Sequence, residues 1–283
     1  MEKNRFTSSP WGFRFYTFEK YADFMKKTGI NELCVFLGDQ KKTPLAFNEN
    51  ISKNEILQIK KILKGNRQGI LELCGGGDYS VPHNIDVEMK KTRGHIDLAA
   101  ELEVKIFRVF AGWINEKDIT EATYSQISET LTQVGKYAGQ YNIGVVVENH
   151  GGVSRTAEQM LKIFKNIKSV NVGINYDPAN FRYYGEDEYA ALEKLIDYIK
   201  FFHIKNVKFE NGKPEYTRVQ TGIIDYQKIF KKLLAVYNGY LCLEYENEHD
   251  PEIGTTDDFR YVKELYEKYR ASPDYRSSAD LPV

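Results

Sequence analysis

The sequence predicts an α/β fold, a single TIM barrel, that is, a parallel eight-stranded (β/α)8 barrel. The length of 283 residues suits one barrel of about 250 residues with modest loop insertions. Short apolar runs alternate eight times with amphipathic segments, and such short crossovers give parallel neighbouring strands. Residues 143–150 (IGVVVENH) are typical of a strand buried on both faces, and this strand ends at the carboxylate of Glu148. An open doubly wound sheet is the alternative.

Four strand and helix pairs are predicted in the first half of the chain. Residues 12–16 (GFRFY) are assigned to the first strand, and a helix follows near residues 18–28. Ser52 and Glu55 form a capping box that predicts the start of the second helix. Apolar side chains on one face predict a third helix over residues 86–102. The remaining strands of this half are expected at residues 32–37, 69–74 and 105–110.

The second half repeats this alternation more clearly. Thr156 and Gln159 form another capping box, and Asp225 is a predicted helix cap. Strands are expected at residues 143–150, 172–176, 201–205 and 240–245. We expect residues 1–270 to form the barrel and residues 271–283, which are rich in Ser, Pro and Asp, to form a C-terminal surface tail.

Composition narrows the partners that we expect. The 39 Lys and Arg side chains nearly balance 40 Asp and Glu, and no block of one sign suggests a nucleic-acid or membrane partner. No signal-peptide core and no run of about 18 apolar residues is visible, so a cytoplasmic location is expected. The three cysteines lie in apolar segments and are expected to be reduced thiols. The sequence does not fix the oligomeric state, and a homo-oligomer is one of the states that it allows.

Four polar residues stand at the carboxyl ends of the last four predicted strands. They are Glu148, Asp177, His203 and Glu244. One βα unit separates each from the next, so all four should meet at one rim of the barrel. Three confined carboxylates would repel each other and lose hydration, at several kcal/mol per ion unless a cation is present. The sequence therefore predicts one divalent metal ion. This ligand set favours Mn²⁺ or Mg²⁺, also suits Co²⁺ or Zn²⁺, and excludes a thiolate-rich zinc site.

The segments that carry these residues resemble a known family. They read VVVENH at 145–150, INYDPANF at 174–181, FHIKN at 202–206 and LCLEYE at 241–246, with IDLAAELEVKIFRVFAG at 96–112 as a further match. Together they resemble the xylose isomerase-like barrel superfamily, in the branch called sugar phosphate isomerases/epimerases. The resemblance implies a (β/α)8 barrel with one divalent metal on Glu148, Asp177, His203 and Glu244. It also implies that Glu148 and Glu244 exchange protons with the substrate.

The predicted reaction depends on this arrangement. A hydroxy ketone chelated through two oxygens has a polarised carbonyl, which stabilises the enediolate formed when a proton leaves the adjacent carbon. Glu148 and Glu244 could remove and return that proton from opposite sides. We therefore expect a metal-dependent isomerase or epimerase of a small carbohydrate: a sugar, a sugar phosphate or a keto-inositol. A lyase of the inosose dehydratase type and a non-catalytic sugar-binding barrel are the alternatives.

Further residues are candidates for substrate binding. Lys205 shares the inward face of His203, His150 lies two residues beyond Glu148, and Trp113 could stack on a sugar face. Arg108 and Asn180 could also line the pocket. A surface or packing role is the alternative for each of these five residues.

Other residues differ from those of family members or belong to no recognisable group of site residues. Ketose 3-epimerases of the family have a histidine and an arginine where this chain has Asn180 and Phe209, which argues against substrate recognition of that type. Glycines 75–77 could admit a phosphate or simply form a turn. Glu72 is unusual within an apolar strand and receives no role. The remaining histidines are expected at the surface: His83, His95 and His249.

Overall fold

The computed structural model describes residues 5–270, in which eight parallel strands form a nearly closed barrel. From the second barrel strand onward each strand pairs with the next barrel strand along the chain, and the last pairs with the first. The first and second strands complete the circle, and the Thr7 hydroxyl donates to the Glu32 carbonyl between them at 2.6 Å. The barrel strands are β1 (Phe6–Ser8), β2 (Glu32–Phe36), β3 (Gly69–Gly76), β4 (Ile106–Val109), β5 (Gly144–Glu148), β6 (Val172–Tyr176), β7 (Ile199–Ile204) and β10 (Tyr240–Leu243).

Helices pack around this barrel. Those that the structure describes are α1 (Phe18–Thr28), α2 (Lys53–Asn66), α3 (Ile85–Glu101), α4 (Glu121–Gly139), α5 (Ala157–Phe164), α6 (Pro178–Tyr183), α7 (Glu188–Leu195), α8 (Tyr226–Leu233) and α9 (Pro251–Arg270). The predicted capping boxes at Ser52 and Thr156 are present, and Asp225 caps α8. Local cap chemistry therefore sets these helix starts, as the sequence predicts.

The predicted first strand is wrong. Residues 12–16 form no strand; Trp11–Phe13 is a turn of 3-10 helix, and the strand lies earlier, at Phe6–Ser8. Phe13 is buried because its ring packs on Tyr21 and Phe24 of α1, with centroids 5.4 and 5.2 Å apart. The apolar side chain of Phe13 thus packs on a helix and does not belong to a strand. The first strand, β1, consists of only three residues, which pair with β10.

A second difference lies after β7. The polar segment at this point contains a two-stranded antiparallel hairpin, β8 (Asn206–Glu210) and β9 (Lys213–Thr217), which is separate from the barrel sheet. The predicted surface tail at 271–283 lies outside the described residues. Between residues 5 and 270, no helix has both the length and the apolar character needed to cross a membrane.

The main core lies between the barrel and its helices, and a smaller buried cluster fills the barrel below the carboxyl rim. Val146, Phe201 and Cys242 precede the rim residues of their strands by two positions and therefore share their inward face. With Cys34 and Leu71 they form this cluster. All three cysteines are free and buried, in agreement with reduced thiols.

Candidate active site

The structure brings the four predicted rim residues together. Glu148, Asp177, His203 and Glu244 lie at the carboxyl ends of β5, β6, β7 and β10, and all four are buried. Each offers one ligand atom, and these atoms all lie within 4.8 Å of one another. The arrangement could hold a metal ion.

Helix capping aims the carboxylate of Asp177. Its Oδ1 accepts hydrogen bonds from the backbone of Ala179 (2.8 Å) and Asn180 (3.2 Å) at the start of α6. The Asn149 side chain exchanges two hydrogen bonds of 2.8 Å with the Asp177 backbone, which ties the ends of β5 and β6 together. Oδ2 is thereby left to face His203, at 3.7 Å from Nδ1.

His203 stands at the centre of the cluster. Its Nδ1 lies 3.1 Å from Glu244 Oε2 and 3.6 Å from Glu148 Oε1. Its Nε2 lies 3.1 Å from Nδ2 of Asn175, whose buried Oδ1 has no hydrogen-bond partner. If the amide is turned so that Oδ1 accepts the Nε2 proton, the lone pair of Nδ1 is free for a metal, as is usual for ligating histidines.

The hydrogen bonding of three atoms in the cluster indicates whether the site suits a divalent ion. Asp177 Oδ2, His203 Nδ1 and Glu244 Oε2 are each buried without a hydrogen bond of normal geometry, and they face one another. Buried polar atoms are normally satisfied, and two carboxylate oxygens with one imidazole nitrogen are ordinary ligands for Mn²⁺, Mg²⁺ or Zn²⁺. The residues present therefore fit such an ion.

Lys205 lies against the same carboxylates. Its Nζ is 2.8 Å from Asp177 Oδ2 and 2.9 Å from both Glu244 Oε2 and Glu246 Oε1. The side chain is only 2% exposed, so these contacts are shielded from solvent. Glu246 was not predicted as a site residue, although its position two residues after Glu244 indicates the same inward face.

These contacts shift the pKa values of the cluster. Burial alone would raise the pKa of Glu244, but His203 and Lys205 outweigh it and hold that pKa well below its ordinary value. Burial likewise opposes the charging of His203, yet Glu244, Asp177 and Glu148 raise its pKa well above the ordinary value. Without a metal, the Glu244 carboxylate is thus held ionised by its cationic neighbours.

Two predicted substrate-binding residues contact Glu148. Arg108 Nη1 lies 2.8 Å from Glu148 Oε2, and Asn180 Nδ2 donates to Oε1 at 3.2 Å. Arg108 also lines a cavity above the cluster, whereas Asn180 is buried behind the cavity wall. Both side chains orient the Glu148 carboxylate.

The cavity above the cluster has a volume of about 430 Å³. Four of the five predicted substrate-binding residues line it: Arg108, Trp113, His150 and Lys205. Rings of Trp11, Phe36, Phe110 and Tyr216 complete an aromatic wall, and His150 packs on Phe110 and Trp113 with centroids 5.2 and 5.7 Å apart. Trp11 and Tyr216 were not predicted to line the cavity. They reach it through a 3-10 turn and the β8–β9 hairpin, which the predicted strands and helices did not include.

The structure also places the residues that received no role. His83 and His249 are exposed as predicted, but the predicted surface position of His95 is wrong, because this side chain is buried on α3 beside Glu49. Glu72 is buried in β3, where desolvation raises its pKa. Gly75 packs against the Phe107 ring, where a Cβ would approach to 2.3 Å, and Gly76 and Gly77 have φ of +76° and +132°. Packing and backbone conformation thus account for this glycine run.

The chain is similar to proteins of known sequence and known structure. An inosose dehydratase from Clostridium tetani is 27% identical over 174 residues, which cover 55% of this chain and 56% of that protein. The chain is thus matched to only about half the length of such curated relatives. Among solved structures, the IOLI protein with a bound zinc atom superposes with a TM-score of 0.78 at 15% identity, covering 95% of this chain and 100% of that one.

A second solved structure supports the same fold. The 3-keto-D-glucoside 4-epimerase YcjR from E. coli superposes with a TM-score of 0.69 at 17% identity, covering 93% of this chain and 100% of that one. The family model described as xylose isomerase-like TIM barrel matches residues 22–265. The chain belongs to the xylose isomerase-like TIM barrel family.

Proposed function

We propose that this protein is a divalent-metal-dependent isomerase or epimerase that moves a proton next to the carbonyl of a small polyhydroxy ketone. The observation that carries the proposal is the convergence of Asp177 Oδ2, His203 Nδ1 and Glu244 Oε2, three buried atoms without normal hydrogen bonds, beside Glu148 at the floor of a cavity. Lys205 Nζ already lies 2.8 and 2.9 Å from the two carboxylate oxygens, and a divalent ion would offset more of the cost of burying these groups together. The cavity above it has the size of a small-molecule site.

Glu148, Asp177, His203 and Glu244 would hold the ion. Manganese or magnesium suits this oxygen-rich set best, and zinc, present in the IOLI structure, is the next candidate. When bound, the ion supplies a Lewis acid that polarises the substrate carbonyl and so acidifies the adjacent C–H.

The protein's own side chains perform the proton transfer. Glu148 and Glu244 come from different strands, so they can face a substrate carbon from two directions, one removing the proton and the other returning it. Arg108 and Asn180 fix the Glu148 carboxylate, and the Ser9 hydroxyl donates to Glu244 Oε1 at 2.7 Å. Neither carboxylate therefore needs to reorganise during the reaction.

The other cavity residues would bind and shield the substrate. Lys205 presents a buried ammonium group that can hold a substrate oxygen beside Glu244. Trp113 and Trp11 offer flat apolar faces to the C–H groups of a sugar ring, and His150 offers a further polar contact on the same wall.

A dehydratase is the second candidate. Curated relatives that match this chain are named inosose dehydratase, and the Lys205–Glu246 pair places an acidic group next to Glu244. After the same first proton removal, such a pair could donate the proton that a departing β-hydroxyl requires. The two candidates share the enolisation step and differ in the fate of the enolate. A non-catalytic barrel remains the third.

Deuterium exchange separates these functions. The metal-loaded protein is incubated in D₂O with ketoses and inososes, and the products are monitored by NMR and mass spectrometry. Deuterium uptake with unchanged composition indicates the isomerase or epimerase, and loss of water indicates the dehydratase. If compounds of the panel bind but none of them exchanges deuterium or loses water, both enzymatic functions are contradicted. Metal content is measured in parallel, since a protein that binds no divalent ion would also contradict the proposal.

A further inference from the structure

The cavity has a second end, away from the metal cluster. It is formed by the loops after β2 and β3 together with α3, and Glu49, Lys91, Gly75 and Gly76 line it. Opposite strands of a barrel face each other across the mouth, so a ligand bound at the cluster would extend its distal atoms toward this end. The chemistry of the distal end therefore bears on which substrate the site accepts.

The cations that line the cavity are all paired. Lys91 Nζ lies 3.1 Å from Glu49 Oε1, and Arg108 Nη1 lies 2.8 Å from Glu148 Oε2. Lys205 contacts three carboxylates within 2.9 Å. Four lining glutamates thus face three lining cations, so the lining carries no excess of lysine and arginine side chains over carboxylates. Arg108 and Lys205 hold buried ion pairs that a phosphate or carboxylate would have to break. At the half-exposed Lys91, the incoming anion would also meet the negative charge of Glu49.

Glu49 is the polar group best placed to contact the distal part of a ligand. Its contacts with Lys91 Nζ at 3.1 Å and His95 Nε2 at 3.4 Å both use Oε1, so Oε2 takes part in neither. His95 is 7% exposed and burial lowers its pKa, so it adds no positive charge at neutral pH. A carboxylate oxygen accepts hydrogen bonds from hydroxyl groups and repels anions.

Packing and backbone conformation account for the glycine run at this end without a ligand. Gly75 is packed against Phe107, where a Cβ would approach its ring to 2.3 Å, and Gly76 and Gly77 turn the chain at positive φ. The features that would otherwise suggest an anion site are therefore used for packing and for the turn.

We propose that Glu49 is a specificity-determining residue that accepts hydroxyl groups at the distal end of the cavity, and that the site selects uncharged polyhydroxy ketones over phosphorylated or carboxylated ones. This inference rests on the proposed function, which places the ligand at the metal cluster. It adds that the ligand is uncharged and that Glu49 recognises its distal hydroxyl groups.

Tryptophan fluorescence provides a binding assay that does not require turnover. The chain contains two tryptophans, Trp11 and Trp113, and both line the cavity. Quenching is titrated on the metal-loaded protein with matched pairs: D-fructose with D-fructose 6-phosphate, D-psicose with D-psicose 6-phosphate, and scyllo-inosose with glucuronate as the anionic ring. We expect the neutral member of a pair to bind at least about tenfold more tightly. Tighter binding of the anionic members, or no binding of any neutral one, would overturn the inference.

Variants of Glu49 test the residue itself. Glu49→Gln should raise the Kd of the neutral ligand about tenfold and narrow the preference over its anionic partner, because a charged acceptor is lost. Glu49→Lys should reverse the preference. Glu101→Gln, at an exposed position of α3 outside the cavity lining, is the matched control and should change neither value. Unchanged preferences in both Glu49 variants would refute the role of Glu49.

The two proposals fail in different ways. Loss of metal binding or of deuterium exchange in a protein that still prefers neutral ligands would contradict the proposed function alone. Retained metal binding and exchange with a preference for anionic ligands would contradict the role of Glu49 alone.

Discussion

The two halves of the barrel mouth are built differently. In the half formed by β5, β6, β7 and β10, charged side chains stand at the strand ends and contact one another directly. In the half formed by β1 to β4, loops and turns supply the cavity lining, including Trp11, Glu49 and Trp113. Ligand atoms for a metal need rigid placement, which strand ends provide, whereas loops can vary in shape and set which molecule fits. We therefore call them the chemistry half and the recognition half.

Arg108 connects the two halves. It projects from β4 and contacts Glu148 at the end of β5 at 2.8 Å, while its guanidinium lies 4.4 Å from the Phe110 ring centroid in the cavity wall. A group in the recognition half thus orients a carboxylate of the chemistry half. If the division is real, substitutions in one half should change turnover or metal affinity, and those in the other should change KM.

The largest effect is expected at the two carboxylates that we propose transfer protons. Glu148→Gln and Glu244→Gln should each lower the rate of deuterium exchange about a thousandfold, because the amide cannot act as a base, while circular dichroism remains that of the folded protein. Glu158→Gln, at an exposed position of α5 outside the cavity, is the control. A variant that keeps near-full exchange would remove its carboxylate from the mechanism.

The next effect concerns the orientation of His203. Asn175→Ala removes the side chain that holds Nε2 at 3.1 Å, and we expect it to weaken metal binding about tenfold, measured by titration against a competing chelator. Val146→Ala lies in the buried cluster below the rim and controls for lost volume. Equal losses of metal affinity in both variants would mean that packing, and not the contact with His203, is responsible.

A smaller effect is expected in the recognition half. Trp113→Ala should raise KM up to about tenfold for the substrate found by deuterium exchange and change kcat little, because stacking stabilises bound substrate and transition state alike. Phe15→Ala removes an exposed aromatic ring that does not line the cavity and should leave KM unchanged. A fall in kcat without a change in KM would show that the two halves do not divide the work in this way.

The last prediction concerns Asp258, which lies outside both halves of the mouth. It concerns the pH dependence of the free energy of unfolding and not that of the site. Burial raises the pKa of Asp258 in α9 to about 7, although its Oδ1 accepts from the Val219 backbone at 2.8 Å and Arg218 is nearby. A carboxyl group whose pKa is higher in the folded state stabilises the fold fully below its unfolded pKa near 4, and this contribution is lost as the pH rises through about 7.

Asp258→Asn keeps an oxygen for the Val219 N–H and removes the charge. The free energy of unfolding of this variant, measured by urea denaturation, should therefore rise relative to that of the wild type by about 2–3 kcal/mol as the pH increases from 5 to 8. The difference between the two proteins cancels groups that titrate in both. A constant difference across this range would show that Asp258 does not carry the pH dependence.

Much of the chemistry half could be predicted from local pattern. Glu148 and Glu244 each end a buried apolar run, and parallel strands bring such ends to one edge, so alternation and spacing are enough to predict their meeting. The capping boxes at Ser52 and Thr156 were equally predictable, because a cap depends on residues three apart.

The recognition half was predictable only in part. The first strand was misplaced because Phe13 owes its burial to α1, while β1 is defined by its pairing with β10, more than 200 residues away. Glu49 and His95 showed no pattern, since their contact joins a loop to a helix.

The amino-acid sequence by itself determined the barrel and the meeting of four polar residues at its rim, because hydrophobic periodicity and helix caps are local properties that the topology repeats around the ring. Only the tertiary structure decided that Arg108 and Asn180 orient Glu148, that Lys205 joins Glu246 to the cluster, and that Glu49 faces the distal end of the cavity. Those contacts join side chains from different elements, and such distances are set by how the elements pack, which no spacing along the chain encodes.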